Sequence, residues 1–252
     1  MFQEFLWMLR YWKRQLSPRQ NIRRWKIELG NWNRFWKSYR QYQQLSSDKE
    51  SVLLKNLYPC LGDDTAETYI EPTYFYQDCW AFEKIVQQHP SDHIDIGSHH
   101  KYVALLSKVL PVTMVDIRPL SLPLESLNFK EGSILSLPFD DNSVESLSSL
   151  CVVEHIGLGR YGDPLDSLGS EKAMLEIQRV LKSGGYCYFS APILGNINTV
   201  FFNAHRSFSE NYIEKCFSLC KVVDKMYIYE NSLQKNREDG KFGIGLYHFQ
   251  KL

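Results

Sequence analysis

His93-Ile94-Asp95-Ile96-Gly97-Ser98 reads as a short strand that stops at a glycine, with a helix over Tyr102 to Leu110 behind it. A second strand, Val112 to Ile117, carries Asp116 near its end, about twenty residues after Asp95. The same alternation continues outward. Leu127 to Lys130 reads as a third strand, Ser146 to Val153 as an apolar fourth, Ser170 to Leu181 as a helix and Tyr186 to Ser190 as another strand. Upstream, Tyr74 to Gln88 reads as a helix with Ala81, Phe82, Ile85 and Val86 on its apolar side. Strands alternating with helices specify an α/β fold, a doubly wound and mostly parallel sheet covered on both faces. Such sheets hold ligands beyond the carboxyl ends of their strands, where strand order reverses. Chemistry is therefore expected just after residues 95, 116, 134 and 152.

The chain has 252 residues, 44% hydrophobic and 23% charged, an ordinary globular composition. Its 29 Lys and Arg balance 29 Asp and Glu, so the total charge predicts no nucleic-acid or membrane partner. The distribution is uneven, however. Residues 1–45 hold ten basic residues, two acidic ones and five of the six Trp. Two segments are expected: a basic, aromatic helical extension over 1–45 and an α/β domain over 46–252. The six cysteines include no C-x-x-C pair; Cys151 and Cys187 fall in apolar strands, and Cys216 and Cys220 on one face of an expected helix. No spacing supplies four metal ligands, so no metal is expected. No apolar run reaches the ~20 residues of a membrane span, and the N-terminus lacks a signal-type apolar core, so a cytoplasmic location is expected.

Within the extension, Phe2, Phe5, Leu6, Leu9, Trp12 and Leu16 mark one helical face over 2–16, and Ser17-Pro18 reads as the cap of a second helix. There Ile22, Trp25, Leu29, Trp32, Trp36 and Tyr39 recur every three or four residues, with Gly30 as a possible kink. Three roles stand open for this segment: packing on the main domain or a second subunit, lying peripherally on an anionic membrane surface, or binding nucleic acid. Nothing downstream reads as a base-recognition module, so no nucleic-acid partner is expected. The relaxed stretch around 46–58 reads as a linker or helix start.

Several residues carry a resemblance. Asp95-Ile-Gly97-Ser98 is followed by Val115-Asp-Ile-Arg-Pro119, then Gly132 to Phe139 with Leu-Pro-Phe, and Asp141-Asn-Ser143. Glu154-His-Ile-Gly-Leu-Gly-Arg-Tyr-Gly-Asp-Pro164, Arg179-Val-Leu-Lys-Ser-Gly-Gly185, Asn203-Ala-His-Arg206 and Gly243 to Lys251 complete the series. This series resembles the class I S-adenosylmethionine-dependent methyltransferases, a Rossmann-like fold. More narrowly, it resembles the family called domain of unknown function 268, over about residues 60 to 252. The resemblance implies S-adenosylmethionine as cofactor, bound by Asp95, Gly97, Ser98, Asp116, Ile117, Ser133, Ile134, Cys151 and Val152. Asp116 would accept hydrogen bonds from the ribose hydroxyls, and Ser133 stands where an acidic residue often meets the adenine amino group. Bacterial members often occur among surface-polysaccharide genes, which implies a glycan-related role only by association; the favoured expectation is methyl transfer to oxygen of a saccharide or lipid-linked glycan.

Methyltransferases of this fold usually carry three alternate glycines after the first strand; here those positions read Gly97, His99 and Lys101. A Cβ at His99 would either crowd the cofactor or send the loop along another path. For the transfer itself, a hydroxyl acceptor needs a base. His155 and His205 are the candidates, with Asp163 to orient His155 or fix sugar hydroxyls. Arg160, Tyr161, Asn203 and Arg206 are the candidate acceptor-binding residues, Arg160 alternatively pairing with Asp163 to hold the glycine-rich loop shut. The Lys182-Ser-Gly-Gly185 segment reads as a helix C-cap and Ser207-Phe-Ser209 as an N-cap. Two alternatives to methyl transfer remain: a non-catalytic binding protein of this fold, and a glycan-assembly enzyme using a nucleotide-sugar.

Overall fold

The structure, a computed structural model, describes residues 6–8, 10, 11, 13, 18–45, 53–118 and 120–252. Two compact units divide the chain, Met1–Tyr69 and Ile70–Leu252. In the first, α1 (Pro18–Leu45) is one helix of 28 residues that runs unbroken through Gly30. Residues 6–8, 10, 11 and 13 are also helical. The remainder of the expected 2–16 helix, the Ser17 cap and the relaxed stretch at 46–52 lie outside the described residues. Arg34 donates from Nη2 to the Leu61 carbonyl (3.2 Å) and pairs through Nη1 with Asp64 (2.8 Å). These contacts tie residues 61–64 to α1, which is why this unit runs past the boundary expected at residue 45.

The second unit begins with α2 (Pro72–Gln88), where Pro72 occupies the first turn and the Glu71 carboxylate accepts from the Tyr74 N–H at 2.8 Å. Then follow β1 (His93–Ile96), α3 (His100–Leu106), β2 (Val112–Asp116), β3 (Leu127–Glu131), β4 (Val144–Leu150), α4 (Gly169–Val180) and β5 (Leu181–Leu194). A small hairpin of β6 (Thr199–Phe201) and β7 (His205–Ser207) leads to α5 (Glu210–Cys216), β8 (Cys220–Tyr229), β9 (Ser232–Gln234) and β10 (Phe242–Lys251). Eight strands form one sheet in the order β3-β2-β1-β4-β5-β10-β8-β9. Pairings from β3 through β5 are parallel, and β10 runs antiparallel between β5 and β8.

Strand residues alternate between the two faces, and each face is buried. Leu147, Phe189, Val115 and Ile96 pack with Met174, Ile177 and Ile213 of α4 and α5. Leu150, Tyr188 and Met114 pack with Trp80, Ile85 and Val103 of α2 and α3. The expected doubly wound, mostly parallel sheet is therefore present. Because β1 lies between β2 and β4, strand order reverses there and a crevice opens at the carboxyl ends.

Two local expectations are corrected. Lys182 to Gly185 is not a helix cap: α4 ends at Val180, and β5 already pairs Leu181 with Val144 before the register shifts near Ser146. Cys220 does not share a helix face with Cys216, because α5 stops at Cys216 and Cys220 opens β8. The following Phe217 stacks on Phe249 with ring centroids 4.4 Å apart, a burial that ends the helix. Ser209 caps α5 as expected, accepting from the Tyr212 N–H at 3.3 Å.

Candidate active site

A cavity of about 810 Å³ opens at the crevice, lined by residues that follow β1, β2, β3 and β4 and by the 161–164 loop. That volume is in the range of cofactor pockets. At its floor the Gly97 N–H donates to the Val115 carbonyl (3.0 Å), so the ends of β1 and β2 are held together. Gly97 has φ +64, a conformation in which an L side chain is strained. A β-carbon there would stand 3.3 Å from Val152 Cγ1 and 3.7 Å from Asp116 Oδ2. Gly97 and Asp116 therefore face the same space.

Asp116 accepts the Arg118 N–H on Oδ1 at 2.8 Å. Its Oδ2, with no protein donor among the described residues, stays available to a pair of ribose-like hydroxyls. Ser98, Ile117, Ser133, Ile134, Cys151 and Val152 also line the cavity, on the elements where the sequence puts them. Ser133 Oγ already accepts from the Leu135 N–H (3.2 Å), which leaves its hydroxyl proton to donate. Cys151 has φ +54 at the end of β4, and burial pushes its thiol far above the usual range, so it is a wall rather than a thiolate nucleophile.

Asp95 lies beneath the cavity and is fully buried. Oδ1 accepts the Ser98 N–H at 3.0 Å and Oδ2 accepts the Ser148 hydroxyl at 2.6 Å. With its proton given to Asp95, Ser148 Oγ accepts from His93 Nε2 (2.9 Å) and from the Tyr102 hydroxyl (3.3 Å). His93 Nδ1 then accepts from the Ser146 hydroxyl at 2.7 Å. Burial holds His93 down to about 3 and raises Asp95 to about 6. Asp95 is thus corrected from a cofactor ligand to the residue that folds the Gly97-Ser98 turn.

His155 ends a short 3₁₀ turn directly after β4 and lines the cavity. Its Nδ1 donates to the Ala204 carbonyl at 2.6 Å, which sets the tautomer and leaves Nε2 as the acceptor. Burial lowers its pKa below the usual histidine value, and the Arg160 charge adds to this against the Ala204 hydrogen bond. The ring is therefore neutral at pH 7. Nε2 lies 3.8 Å from Glu154 Oε1. Glu154 is 2% exposed, its Oε2 has no partner, and burial raises its carboxyl to about 8, so it holds its proton at neutral pH.

The 157–166 loop folds back on itself. Gly157 has φ +80, and a β-carbon there would meet the Asp166 carbonyl at 2.1 Å, so glycine is required. Asp163 Oδ2 accepts the Gly157 N–H (2.7 Å) and Oδ1 the Tyr161 N–H (3.3 Å). Asp163 lines the cavity but braces its own loop instead of orienting His155, which corrects one expectation. Another fails because Arg160 does not pair with Asp163. It donates to the Ala204 carbonyl (3.1 Å) and lies over the Tyr161 ring at 5.1 Å. Arg118 approaches that ring at 4.5 Å, and Tyr161 also meets His155 edge-on at 5.6 Å. Tyr161 thereby forms the cavity wall beside His155.

The β6–β7 hairpin corrects three further expectations. Asn203 is its exposed turn residue with φ +61. His205 packs between Phe201 (5.0 Å) and Phe242 (5.8 Å) and is not part of the cavity wall. Arg206, 7% exposed, turns inward to the Ile156 and Asp166 carbonyls and the Ser170 hydroxyl, because three acceptors satisfy its guanidinium there. What the hairpin contributes to the site is the Ala204 carbonyl. Four wall or neighbouring residues carried no assigned role in the sequence reading: Tyr74, His99, Arg118 and Glu154. His99 stacks on Tyr74 at 4.9 Å, and its Nδ1 is buried without a partner. An acidic residue at the end of an apolar strand was the available signal for Glu154; Tyr74 and Arg118 enter only through the tertiary arrangement.

The sheet order and the crevice define a Rossmann-like, methyltransferase-type fold. A candidate sarcosine dimethylglycine methyltransferase from Galdieria sulphuraria is similar over 73% of this chain and 91% of its own, with a TM-score of 0.54 and 14% identity. The [4+2]-cyclase SpnF is similar over 69% of this chain and 80% of its own, with a TM-score of 0.51 and 12% identity. Residues 139–227 match the family model described as "Caenorhabditis protein of unknown function, DUF268". The chain has a methyltransferase-like fold, and its segment 139–227 is similar to DUF268, in line with the resemblance carried by the sequence series. No curated protein matches it in sequence. Identities this low show the fold alone, and one of the two similar proteins is named a cyclase, so chemistry must be argued from the site.

Proposed function

We propose that the chain is an S-adenosylmethionine-dependent methyltransferase acting on a hydroxyl oxygen of a saccharide or lipid-linked glycan at the cytoplasmic face of a membrane. The observation that carries this is the shared cavity of Gly97 and Asp116, with an available Oδ2 and no β-carbon between them. The residues fit the cofactor. Asp116 would take the ribose hydroxyls, Ile117, Ser133 and Ile134 the adenine side, and Gly97, Cys151 and Val152 the methionine side. Bound there, S-adenosylmethionine supplies an electrophilic methyl group on a cationic sulfonium. His155, neutral and with Nε2 free to accept, takes the proton from the acceptor hydroxyl. Tyr161, flanked by Arg118 and Arg160, covers one edge of the His155 ring, and the 157–166 loop positions Tyr161. Tyr74, Tyr161 and Arg118 put polar groups on the cavity wall, which suits an acceptor bearing hydroxyls. The saccharide class otherwise rests on the family's gene association. No described helix is long and apolar enough to cross a membrane.

Calorimetry with S-adenosylhomocysteine and a panel of nucleotide-sugars tests the proposal. Binding of S-adenosylhomocysteine is expected, weakened at least tenfold in Asp116→Ala. A response only to nucleotide-sugars, or to none of these ligands, overturns it.

A further inference from the structure

The catalytic reading leaves α1 unused. Ile22, Trp25, Leu29, Trp32 and Trp36 are all exposed, Trp25 at 69% and Leu29 at 64%, and they recur at the spacing that makes one stripe along a helix. Trp32 and Trp36 stack on one another, so the stripe is a preformed aromatic surface. Arg23, Arg24, Lys26, Lys37 and Arg40 are exposed on the same helix against a single exposed acid, Glu28. At about 3.6 residues per turn, Lys26 and Lys37 flank one edge of the stripe and Arg40 lies at its border, while on the other edge Glu28 comes first and Arg24 lies beyond it. A long helix with an apolar aromatic stripe bordered by cations is the arrangement that lies in a lipid interface, with rings at headgroup depth and cations on phosphates.

We infer that α1 docks flat on an anionic lipid surface through the Ile22–Trp36 stripe, with Lys26, Lys37 and Arg40 meeting the headgroup charge. The charge complementarity selects anionic over neutral lipid. Ile22 and Leu29, which offer nothing to a nucleic-acid backbone, select lipid over nucleic acid. The inference does not depend on methyl transfer and holds whatever ligand fills the cavity. It gives the proposed catalytic unit a place beside a lipid-linked acceptor.

Tryptophan emission reads the docking almost directly, because five of the six Trp lie in residues 1–45 and the other, Trp80, is already buried. Full-length protein is mixed with phosphatidylcholine vesicles, or with vesicles containing about one-third phosphatidylglycerol, and followed by emission and sedimentation. A blue shift and pelleting are expected with the anionic vesicles alone, and both should fall with added salt. Each basic side chain near such a surface is worth about fivefold in partition, so Lys26→Gln with Lys37→Gln should weaken binding roughly 25-fold. Trp25→Ser with Trp32→Ser should weaken it with the charge intact. Neither pair lies in the catalytic cavity, so binding of S-adenosylhomocysteine should be unchanged in both. Equal binding to neutral vesicles, no binding at low salt, a shift that needs only higher protein concentration, or tighter binding to an oligonucleotide than to vesicles would each overturn the inference.

Discussion

Gly97→Ala separates the demands that the fold and the ligand place on one position. The residue sits at φ +64, where alanine costs about 1–2 kcal/mol relative to its preferred conformations. Its new methyl would meet Val152 Cγ1 at 3.3 Å, tight enough to displace that side chain slightly. The fold should therefore lose about 1–3 kcal/mol, or roughly 3–8 °C in Tm for a domain of this size. Ligand binding should suffer separately, because the same methyl stands 3.7 Å from Asp116 Oδ2, inside the space the two residues share. Overpacking of about 1–3 kcal/mol there corresponds to roughly 5- to 150-fold in affinity. Titration calorimetry with S-adenosylhomocysteine, well below the variant's Tm, measures the second effect. Adding Val152→Ala should recover part of the Tm, leaving the strained backbone and the occupied space as they were. A folded Gly97→Ala that binds S-adenosylhomocysteine within twofold of wild type would refute the placement of the ligand.

Four further outcomes follow from the cavity and its surroundings. His155→Gln should lower methyl transfer by about 10²- to 10⁴-fold with cofactor affinity unchanged, and parallel loss of affinity would remove His155 from the proton-accepting role. In the wild type the acid limb of the rate profile should fall below the ordinary histidine pKa near 6.5, because burial favours the neutral ring, and a limb above it would contradict the buried geometry. Glu154 keeps its proton up to about 8 when folded but releases it near 4.5 when unfolded, so stability should fall as pH rises across that window. Glu154→Gln should flatten that slope in thermal unfolding from pH 5 to 9, and an unchanged slope would show the carboxyl to be ionised. His99→Ala should weaken S-adenosylhomocysteine by several-fold in calorimetry, since a ligand group can satisfy the orphaned Nδ1, and full retention would mean the ring is only a wall.

The fold was legible because its central strands are buried on both faces and the helices beside them on one. Short runs such as His93–Ile96 and Val112–Asp116 stand out as strands, and the position of a residue relative to a strand end follows from topology alone. That is why Gly97, Asp116, Ser133, Cys151, Val152 and His155 could be named before their distances were known. Side-chain direction was not legible in the same way. Arg206 reads as a rim cation until the Ile156 and Asp166 carbonyls, forty or more residues away, are seen to hold it inside. Asp163 reads as a partner for His155 until its loop turns at Gly157 and brings two N–H groups onto its oxygens. Cys220 looked helical because spacing alone cannot report that Phe217 is drawn under Phe249. The deciding partners are backbone or ring groups, remote in sequence for Arg206 and Phe217 and within its own loop for Asp163, and spacing alone does not report them.

The altered glycine series yields to the same kind of argument. Of the positions 97, 99 and 101, only Gly97 has a positive φ, and a β-carbon there would enter the space beside Asp116. His99 has φ −66 and ψ 127, ordinary extended values for the residue before a helix, and Lys101 lies within α3. A side chain at either position therefore costs the backbone nothing. The His99 ring leans onto Tyr74 of α2, and the two rings line the cavity together. The one glycine that geometry demands is retained. The substituted positions add a polar nitrogen that lacks a partner among the described residues, and an unsatisfied buried group of this kind gains most from a ligand that reaches it. Departure from the glycine pattern is thus compatible with ligand binding and points to a cavity whose α2 side recognises its ligand through a ring instead of through bare backbone.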